Sequence, residues 1–234
     1  MTSAALNIVH HHAPLAIPVP PAAVVDQNGF EALATVGQVI TLPKGGSLFS
    51  PGDQADHLFQ VRSGMLRIYT SLPNGRRQIE RFAVPGDLIG LEAGDVHATT
   101  ADAVTESVVV RYCRARADGV ADNDARLAWT FLRLSVRELC KAHRRLVLVG
   151  RNTAIERLAF FIVEMMERSE SRRHIHLPMS RMDIADYLGL TIETVSRVFT
   201  KLCKDGIVRL PSASRLEVQD FQSLKELAEG FESH

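Results

Sequence analysis

Residues 178–206 read PMSRMDIADYLGLTIETVSRVFTKLCKDG, and this stretch decides the fold of the C-terminal part of the chain. Ser180 and Asp183 have the S-x-x-D spacing of a capping box, in which both side chains accept hydrogen bonds from backbone N–H groups at a helix start. Gly189 lacks a Cβ and therefore permits a sharp reversal of the chain. Thr191 then supplies a second N-cap. The stretch predicts two short helices joined by a tight turn.

The second predicted helix runs from Thr191 to about Asp205, with Gly206 as its C′ residue. Its apolar positions, spaced for one inward face, are Val195, Val198, Phe199 and Leu202. Its polar positions at i, i+3, i+4 and i+7, which share the opposite face, are Glu193, Ser196, Arg197 and Thr200. One side of the helix is therefore expected to pack on the protein while the other stays accessible to a partner.

The accessible face carries side chains that can read base pairs in the major groove of DNA. Arg197 can donate two parallel hydrogen bonds to guanine O6 and N7, Glu193 can accept from cytosine N4, and Ser196 can bond to either kind of base. Arg181 and Lys201 are placed for phosphates, which position a protein without reading sequence. The complete predicted DNA-binding set is Thr191, Glu193, Thr194, Ser196, Arg197, Thr200, Lys201 and Arg181. The alternative is an ordinary i,i+4 surface pair of Glu193 and Arg197.

A hairpin is predicted directly after this helix. Two strand-like segments, Ile207–Leu210 and Arg215–Val218, flank the turn-forming residues 211–214. A hairpin in this position is the wing of a winged helix-turn-helix. Two capped helices, the turn glycine, the polar face and the wing together predict a module that binds double-stranded DNA.

Residues 36–113 have a different character, with short apolar segments between turn signals. The strand-like segments are Leu58–Val61, Met65–Tyr69, Ile79–Phe82 and Ser107–Tyr112. Turns at intervals of about 8–12 residues predict a small antiparallel barrel or sandwich. Residues 73–75, Pro-Asn-Gly, are expected at a hairpin tip because Asn-Gly tolerates the positive φ that primed turns require.

A heptad seam follows between residues 122 and 152. Small residues recur every seven positions, with leucines four after them: Ala128, Leu132, Ser135, Leu139, Ala142, Leu146 and Val149. So narrow a seam favours a partner helix over packing within the chain, and we predict a homodimerisation helix that ends near Gly150 or Asn152. Basic residues are expected on its remaining faces. A second amphipathic helix is predicted from Ile155, Leu158, Ala159, Ile162, Val163 and Met166.

The composition limits the other possibilities. The 234 residues include 27 basic and 27 acidic ones, a balance that counts mildly against a nucleic-acid partner. The charge is uneven, however, since residues 133–151 are basic and residues 84–106 are acidic. No apolar run reaches the roughly 18 residues of a membrane span. Three scattered cysteines make no disulfide framework, so a reducing cytoplasm is expected.

No enzyme and no metal site are expected. The sequence has no nucleophile elbow, no phosphate-binding glycine loop and no zinc-protease motif. Residues 1–25 are rich in Pro and Ala and are predicted to form a flexible arm. His10, His11 and His12 lie in that arm, but adjacent residues cannot converge on one metal ion from a regular element. We interpret them as part of a solvated tail.

The stretch Met179–Arg197, with its core DIADYLGLTIETVSR, closely resembles the recognition segment of CRP/FNR-family transcription regulators. Residues 82–90, FAVPGDLIG, resemble the barrel of the same family. The resemblance implies an α+β fold with an N-terminal cyclic-nucleotide-binding-type β-roll, a long dimerisation helix and a C-terminal winged helix-turn-helix. It also implies a homodimer in which Glu193, Ser196 and Arg197 read a TTGA-type half-site of a palindromic operator. A contact between RNA polymerase and the loop at residues 85–87 is implied as well.

The chain departs from the family pattern where an effector would bind. Members that respond to cyclic AMP carry a Gly-Glu pair and an Arg-Ser pair, whereas here Gly90 is followed by Leu91 and no Arg or Lys occurs up to Thr100. A cyclic phosphate would face Glu92 and Asp95 without a cation, which is unfavourable. Activation by a cyclic nucleotide is therefore not expected.

The other effectors of the family are not expected either. Oxygen-sensing members hold an iron–sulfur cluster with N-terminal cysteines, but residues 1–112 contain none, and Cys113 alone cannot build the site. A haem would need an axial ligand, and His57, His97 and His143 are each expected to be surface or capping residues. The remaining resemblance is to the FixK branch, which lacks the cysteine cluster and controls genes for low-oxygen respiration and nitrogen fixation. The alternative is a regulator with a bound cyclic-nucleotide-like or haem effector.

These inferences divide the chain into a flexible arm (1–25), a β-roll (26–121), a dimerisation helix (122–152) and a winged helix-turn-helix domain (153–234). The function expected from them is that of a cytoplasmic transcription activator without a cofactor. Cys203, in the second predicted helix, is expected to be a structural thiol rather than a redox switch.

Overall fold

The computed structural model describes Phe30, Leu33, Ser171 and residues 36–92, 94–151, 153–169 and 173–230, without the side chains of residues 144 and 147–151. The predicted arm with His10, His11 and His12 lies outside the described residues. The strands are β1 (Gln38–Leu42), β2 (Ser47–Phe49), β3 (His57–Ser63), β4 (Leu66–Ser71), β5 (Arg77–Ala83), β6 (Leu88–Ile89), β7 (Thr100–Ala103), β8 (Ser107–Cys113), β9 (His174–His176), β10 (Val208–Ser212) and β11 (Arg215–Val218). The helices are α1 (Arg114–Ala121), α2 (Ala125–Arg151), α3 (Ala154–Glu167), α4 (Arg181–Leu188), α5 (Ile192–Lys204) and α6 (Phe221–Glu229).

Strands β1–β8 form a β-roll of two four-stranded sheets, in the orders β1-β8-β3-β6 and β2-β7-β4-β5. All of their pairings are antiparallel. The buried side chains of its core are Leu42, Phe49, Phe59, Val61, Leu66, Ile68, Ala83, Ile89, Ala101, Ala103 and Val109. The antiparallel barrel or sandwich predicted from the turn-punctuated strands is confirmed, and so is the α+β fold class.

The hairpin between β4 and β5 turns where the Pro-Asn-Gly sequence predicts. Gly75 has a φ of 79°, but no other residue type among the described residues has a positive φ. A type I′ turn needs a positive φ at both central residues, and Asn74 does not have one. The prediction of a primed turn is therefore wrong. Instead, Asn74 Oδ1 accepts a hydrogen bond from the backbone N–H of Arg76 at 3.0 Å and so stabilises the turn.

One face of helix α2 packs against the β-roll. The buried residues of that face are Leu127, Thr130, Leu134 and Arg137. The sequence suggests that the basic residues of this helix are exposed, but Arg137 is not. Arg137 is buried because its guanidinium pairs with Asp87 of the β-roll at 3.0 Å. The helix ends at Arg151, in agreement with its predicted end. Helix α1 is not anticipated by the sequence, since it buries only Ala117 and has no apolar period.

The C-terminal unit consists of α3, α4, α5, α6 and a small sheet in the order β10-β11-β9. Helix α3 confirms the second amphipathic helix and buries Leu158, Ala159, Phe161, Ile162, Met165 and Met166. Its core continues into the β-roll, because the ring of Phe82 in β5 lies 6.3 Å from Phe161 and 5.4 Å from Tyr187 between centroids. Among the helices of the described residues, none has the length and apolar character needed to cross a membrane.

Candidate nucleic-acid interface

Helix α4 begins at a complete capping box. Ser180 Oγ accepts from the backbone N–H of Asp183 at 3.0 Å, and the Asp183 carboxylate accepts from the backbone N–H of Ser180 at 3.1 Å. The helix ends at Gly189, which adopts the left-handed conformation with a φ of 65°. L-residues are strained in this conformation because their Cβ approaches a carbonyl oxygen, and glycine has no Cβ. The predicted cap and turn are confirmed, and together they fix the angle at which the chain enters α5.

Helix α5 is also capped as predicted. Thr191 Oγ1 accepts from the backbone N–H of Thr194 at 3.3 Å. The helix ends at Lys204, with Asp205 as its C-cap, and Gly206 follows with a φ of 74°. Its inward side chains are Val195, Phe199 and Leu202, which are buried, and Val198, which is half-buried. The predicted apolar face therefore packs on the protein.

The opposite face of α5 is exposed and consists of Glu193, Ser196, Arg197, Thr200 and Lys201. Ser196 and Thr200 donate their hydroxyl protons to backbone carbonyls one turn back, at 2.8 and 3.0 Å, so that their oxygens keep lone pairs as acceptors. Arg197 donates to Thr194 Oγ1 at 3.3 Å. It forms no salt bridge with Glu193, although both residues belong to the described part of the chain. The surface pair of the alternative interpretation is therefore present only as a longer-range electrostatic attraction, without a direct salt bridge.

The charges at the start of each helix are set by local contacts. Hydrogen bonds from the backbone N–H of Glu193 and from the Thr191 hydroxyl lower the pKa of the Glu193 carboxyl, with help from the positive charge of Arg197. An ionised carboxylate is the form that accepts from a cytosine amino group. Arg181 is half-buried, and its guanidinium lies 3.6 Å from the ring centroid of Phe199, so a cation–π contact holds it at the start of α4. Burial lowers the pKa of Arg181.

The wing contains more than the predicted hairpin. Ser212 pairs with Arg215, so the tip is at residues 213–214 rather than across 211–214. A third strand, β9, pairs with β11 and carries exposed His174 and His176. A three-residue strand without an apolar period gives no signal in the sequence.

Exposed basic side chains on the wing extend the predicted set. Arg173 and Arg215 are exposed beside β9 and at the start of β11. Arg209 is less available, because its Nε donates to Glu217 at 2.9 Å. The wing tip and the start of α4 line one cleft of about 470 Å³, which also includes Lys44 and Arg67 of the β-roll. A basic residue next to a predicted hairpin tip is the signal that could have indicated Arg215.

Comparison with known proteins identifies the family of this fold and motif. Residues 156–227 match the Crp-like helix-turn-helix domain, and residues 39–124 match the cyclic nucleotide-binding domain. The nitrogen fixation regulation protein FixK of Rhizobium meliloti (strain 1021) is 39% identical over 189 residues, which are 81% of this chain and 86% of that protein. The chain belongs to the CRP/FNR family of transcription regulators.

Other relatives indicate the same family. The transcriptional activator protein Anr of Pseudomonas aeruginosa is 33% identical over 219 residues, which are 91% of this chain and 87% of that protein. The structure of FixK2 from Bradyrhizobium japonicum, at 36% identity, covers 82% of this chain and 97% of its own with a TM-score of 0.78. These relatives are transcription regulators and not enzymes.

In this CRP/FNR regulator, the loop that follows Gly90 is contacted by a cation from a distant part of the sequence. Arg114 at the start of α1 donates to the carbonyl of Glu92 at 2.7 Å and to the carbonyl of Gly90. The expectation that no cation faces this loop is therefore wrong. The guanidinium is directed at backbone carbonyls, however, and its Nε is buried without a hydrogen-bond partner.

The three histidines of the β-roll and α2 differ in their surroundings. His97 is only 2% exposed, with its Nδ1 3.0 Å from Glu92 Oε2 and its ring stacked 3.7 Å from that of Phe49. The expectation of a surface or capping residue is therefore wrong for His97. The same expectation agrees with the structure for the other two histidines. His57 is half-buried beside Asp56, and His143 is exposed. Cys203 is half-buried.

The predicted seam of α2 lies on the face that points away from the β-roll. The predicted residues with described side chains are all exposed: Ala128, Leu132, Ser135, Leu139, Ala142 and Leu146. Val149 belongs to α2, but its side chain is outside the described set. Trp129 and Val136 extend the stripe, and Trp129, Leu139 and Leu146 are 61%, 70% and 76% exposed. Trp129 and Val136 are not part of the predicted seam, although both fall in the heptad one position after the small residues.

The loop at residues 85–87 does not present its charged residue to solvent. Asp87 is buried, and its carboxylate lies between Arg137, Lys141 and Arg168 at 3.0, 3.7 and 3.7 Å. Pro85 is exposed. Asp87 therefore stabilises the contact between the β-roll, α2 and α3, and it is not available to RNA polymerase.

Proposed function

We propose that this protein is a homodimeric transcription activator that binds a palindromic TTGA-type operator. It controls genes for low-oxygen metabolism and acts without a cyclic nucleotide, an iron–sulfur cluster or a haem. The observation that carries the proposal is helix α5, which is capped as predicted, buries one face and exposes Glu193, Ser196 and Arg197 on the other.

Each polar side chain of α5 has a role in DNA recognition under this proposal. Arg197 binds guanine O6 and N7, Glu193 accepts from cytosine N4, and Ser196 bonds to a neighbouring base. The side chains that contact the sugar-phosphate backbone or the adjoining bases are Arg181, Thr191, Thr194, Thr200 and Lys201. These roles are supported by the exposure of the α5 side chains other than Thr194, which is half-buried, and by the hydrogen bonds that orient the hydroxyls of Ser196 and Thr200.

The dimer is supported by the exposed stripe of α2. The large apolar side chains of Trp129, Leu139 and Leu146 are 61%, 70% and 76% exposed. Covering them with a partner helix would lower the free energy of association. The 27 residues of α2 give the stripe a length of about 40 Å, enough for several heptads of contact. Two recognition helices related by a two-fold axis would then enter successive major grooves about 34 Å apart.

Independence from the family's effectors is supported by the loop after Gly90 and by the cysteines. The cation at this loop, Arg114, is directed at backbone carbonyls, and Glu92 holds His97, so the residues present do not form a site for a cyclic phosphate. Residues 1–112 have no cysteine to hold an iron–sulfur cluster. The alternative is a regulator that needs a bound effector, and it predicts that DNA binding depends on that effector.

The biological setting is inferred from the relatives. FixK of Rhizobium meliloti is a nitrogen fixation regulation protein, and Anr of Pseudomonas aeruginosa is a transcriptional activator. We infer the same kind of cytoplasmic activator here, with RNA polymerase as a partner. Because Asp87 is buried, the polymerase contact would use other exposed residues of the β-roll.

The experiment that tests this function is a titration of labelled palindromic TTGA operator with the full chain, followed by fluorescence anisotropy. Arg197→Ala is expected to weaken specific binding at least about 30-fold, because each of two subunits loses a bidentate base contact. The matched control is Arg62→Ala, an exposed arginine on β3, which should bind as the wild type does. Operator affinity that survives Arg197→Ala, or equal binding to scrambled DNA, would contradict the model.

The same titration tests the effector. It is repeated with cyclic AMP added and with protein purified under aerobic and anaerobic conditions. Binding is expected to be equal in all arms, with no visible absorption from the protein. A requirement for cyclic AMP, or an absorption band of haem or of a cluster, would favour the alternative.

A further inference from the structure

The first helix of the helix-turn-helix is tied to the β-roll by a set of ion pairs. Arg67 of β4 lies 3.2 Å from Asp183, and Arg77 of β5 lies 3.1 Å from the same carboxylate. Arg77 also lies 2.9 Å from Asp186, one turn further along α4. These four residues are called the interdomain clamp below. Gln78 Nε2 adds a hydrogen bond to the backbone carbonyl of Asp186 at 2.9 Å.

The clamp is partly shielded from water and is held from both sides. The Asp183 side chain is 6% exposed, and the other three side chains of the clamp are largely covered. On the β-roll side, Arg67 also pairs with Asp102 at 3.3 Å, and Asp102 accepts from the hydroxyl of Tyr69 at 3.1 Å. On the α4 side, the capping box holds Asp183. Because both partners are oriented by other contacts, the charged hydrogen bonds of the clamp have a defined direction.

The clamp fixes the position of the recognition helix through a short connection. Only Gly189, Leu190 and Thr191 separate α4 from α5, and Gly189 is in the left-handed conformation. A constraint on α4 is therefore a constraint on α5. The apolar contact of Phe82 with Phe161 and Tyr187 keeps the two units together, but apolar burial is non-directional and does not set an angle. Arg168 donates to the carbonyl of Phe82 at 2.8 Å, but it holds the end of α3, whereas the clamp holds α4 itself.

We propose that Arg67, Arg77, Asp183 and Asp186 are positioning residues that set the half-site spacing which the dimer accepts. They do so by fixing the angle of each recognition helix to the β-roll and hence to α2. This inference rests on the proposed function, since it needs a dimer and a palindromic operator. One added base pair moves a half-site by about 3.4 Å and turns it by about 35° around the DNA axis. A clamped recognition helix does not follow that change, whereas an unclamped one can rotate to meet it.

The experiment measures spacing selectivity and uses the full chain. Affinities are determined for operators with the optimal spacing, with one base pair added or removed, and for a single half-site. The wild type is expected to bind the optimal operator about 10-fold or more tightly than the altered ones, the equivalent of one lost base contact. In the double variant Arg67→Gln/Arg77→Gln, the ratio of the affinity for the optimal operator to that for the altered ones should fall below about 3-fold. Its affinity for a single half-site should stay within about 2-fold of the wild-type value. Arg62→Gln is the matched control.

A second variant keeps the test decisive if the double variant does not fold. Asp186→Asn leaves the capping box of Asp183 intact and removes only the pair with Arg77. It should lower the spacing ratio in the same direction by a smaller factor. Combining it with Arg77→Gln should lower the ratio no further than Arg77→Gln alone, because the Asp186 carboxylate acts in the clamp through its pair with Arg77.

The outcomes separate this inference from the proposed function. If the wild type has a sharp spacing optimum and Asp186→Asn or the double variant keeps the wild-type ratio, the clamp does not position the helix. Tighter binding of the optimal operator by the variants would show that the clamp opposes the DNA-bound arrangement, and it would also overturn the inference. If the wild type binds a half-site as tightly as the palindrome, the dimer model fails first, and the inference fails with it.

Discussion

The two helices of the helix-turn-helix have similar caps but use their polar side chains in opposite ways. In α4, Asp183 and Asp186 pair with arginines of the β-roll, and the Tyr187 hydroxyl donates to Glu164 of α3 at 2.6 Å. In α5, Glu193 and Arg197 lie on the exposed face. One helix is built into the rest of the molecule, and the other is left available for a partner.

This difference shows that the motif is not an independent module. The polar partners of α4 come from β4, β5 and α3, whereas α5 buries only its apolar face. Substitutions in α4 should therefore change the stability of the whole protein, and substitutions on the exposed face of α5 should change DNA binding with little effect on stability. Measurements of unfolding can break or sharpen this comparison.

The largest effect is expected from Asp183→Ala. The substitution removes the capping box of α4 and leaves Arg67 and Arg77 without a shared, buried carboxylate. The free energy of unfolding should fall by about 3 kcal/mol, measured by denaturant titration. Asp220→Ala is the matched control, since Asp220 also caps a helix but is exposed, and it should lower the free energy of unfolding clearly less than Asp183→Ala does. Equal losses of unfolding free energy in the two variants would show that the contact with the β-roll does not stabilise α4.

The next effect concerns pH and a carboxylate that binds α2 to the β-roll. Burial opposes ionisation of Glu138, but Arg81 at 2.6 Å and Lys141 at 2.7 Å outweigh it and lower its pKa to about 2. A carboxyl with a lowered folded-state pKa stabilises the protein above its ordinary pKa of 4.5, and this contribution is lost as the pH falls from about 4.5 to about 2.

Glu138→Gln is therefore expected to reduce the acid-induced loss of stability by about 2 kcal/mol over that pH range. Unfolding titrations at several pH values between 5 and 2 would measure it. Glu193→Gln is the comparison from α5: the pKa of its carboxyl is also lowered, but the carboxylate is fully exposed and solvent screens its contacts, so the acid-induced loss of stability should shrink far less than in Glu138→Gln. A wild-type acid slope in Glu138→Gln would mean that the Arg81 contact does not stabilise the fold.

A smaller effect is expected at the cap of α5. Thr191→Ala removes the acceptor for the backbone N–H of Thr194 and should cost about 1 kcal/mol of unfolding free energy. Thr200→Ala, further along the same helix, should cost less, since alanine is a good helix former. A loss of 3 kcal/mol in Thr191→Ala would indicate that α5 is anchored as firmly as α4.

The smallest effect is expected from Arg197→Ala on stability. Arg197 is exposed and bonds only to the neighbouring Thr194 hydroxyl, so the free energy of unfolding should change by less than about 0.5 kcal/mol. Thermal unfolding followed by circular dichroism would check it. A loss above 1 kcal/mol would mean that weaker DNA binding by this variant cannot be attributed to a lost base contact.

Local features of the fold could be predicted from the sequence. The capping box at Ser180, the turn at Gly189 and the two faces of α5 depend on residues a few positions apart, where spacing alone determines geometry. Four strands of the β-roll, β3, β4, β5 and β8, follow from turn residues for the same reason. Family resemblance added the β-roll topology.

Long-range polar contacts could not be predicted. Arg67 and Asp183 are 116 positions apart, and Arg114 reaches a loop 22 to 24 positions before it. A charged residue in a sequence does not reveal its partner, so Arg137 and Asp87 read as surface charges although they are buried together. Helix α1 and strand β9 were missed because neither has an apolar period.

The exposed stripe on α2 has a consequence for the response of the cell. Trp129, Leu139 and Leu146 remain in contact with water until two chains meet, so the amount of dimer would rise with the square of a low protein concentration. Under the proposed function, such a regulator would need no small molecule to act as a switch. A modest change in its rate of synthesis or degradation would produce a steeper change in promoter occupancy.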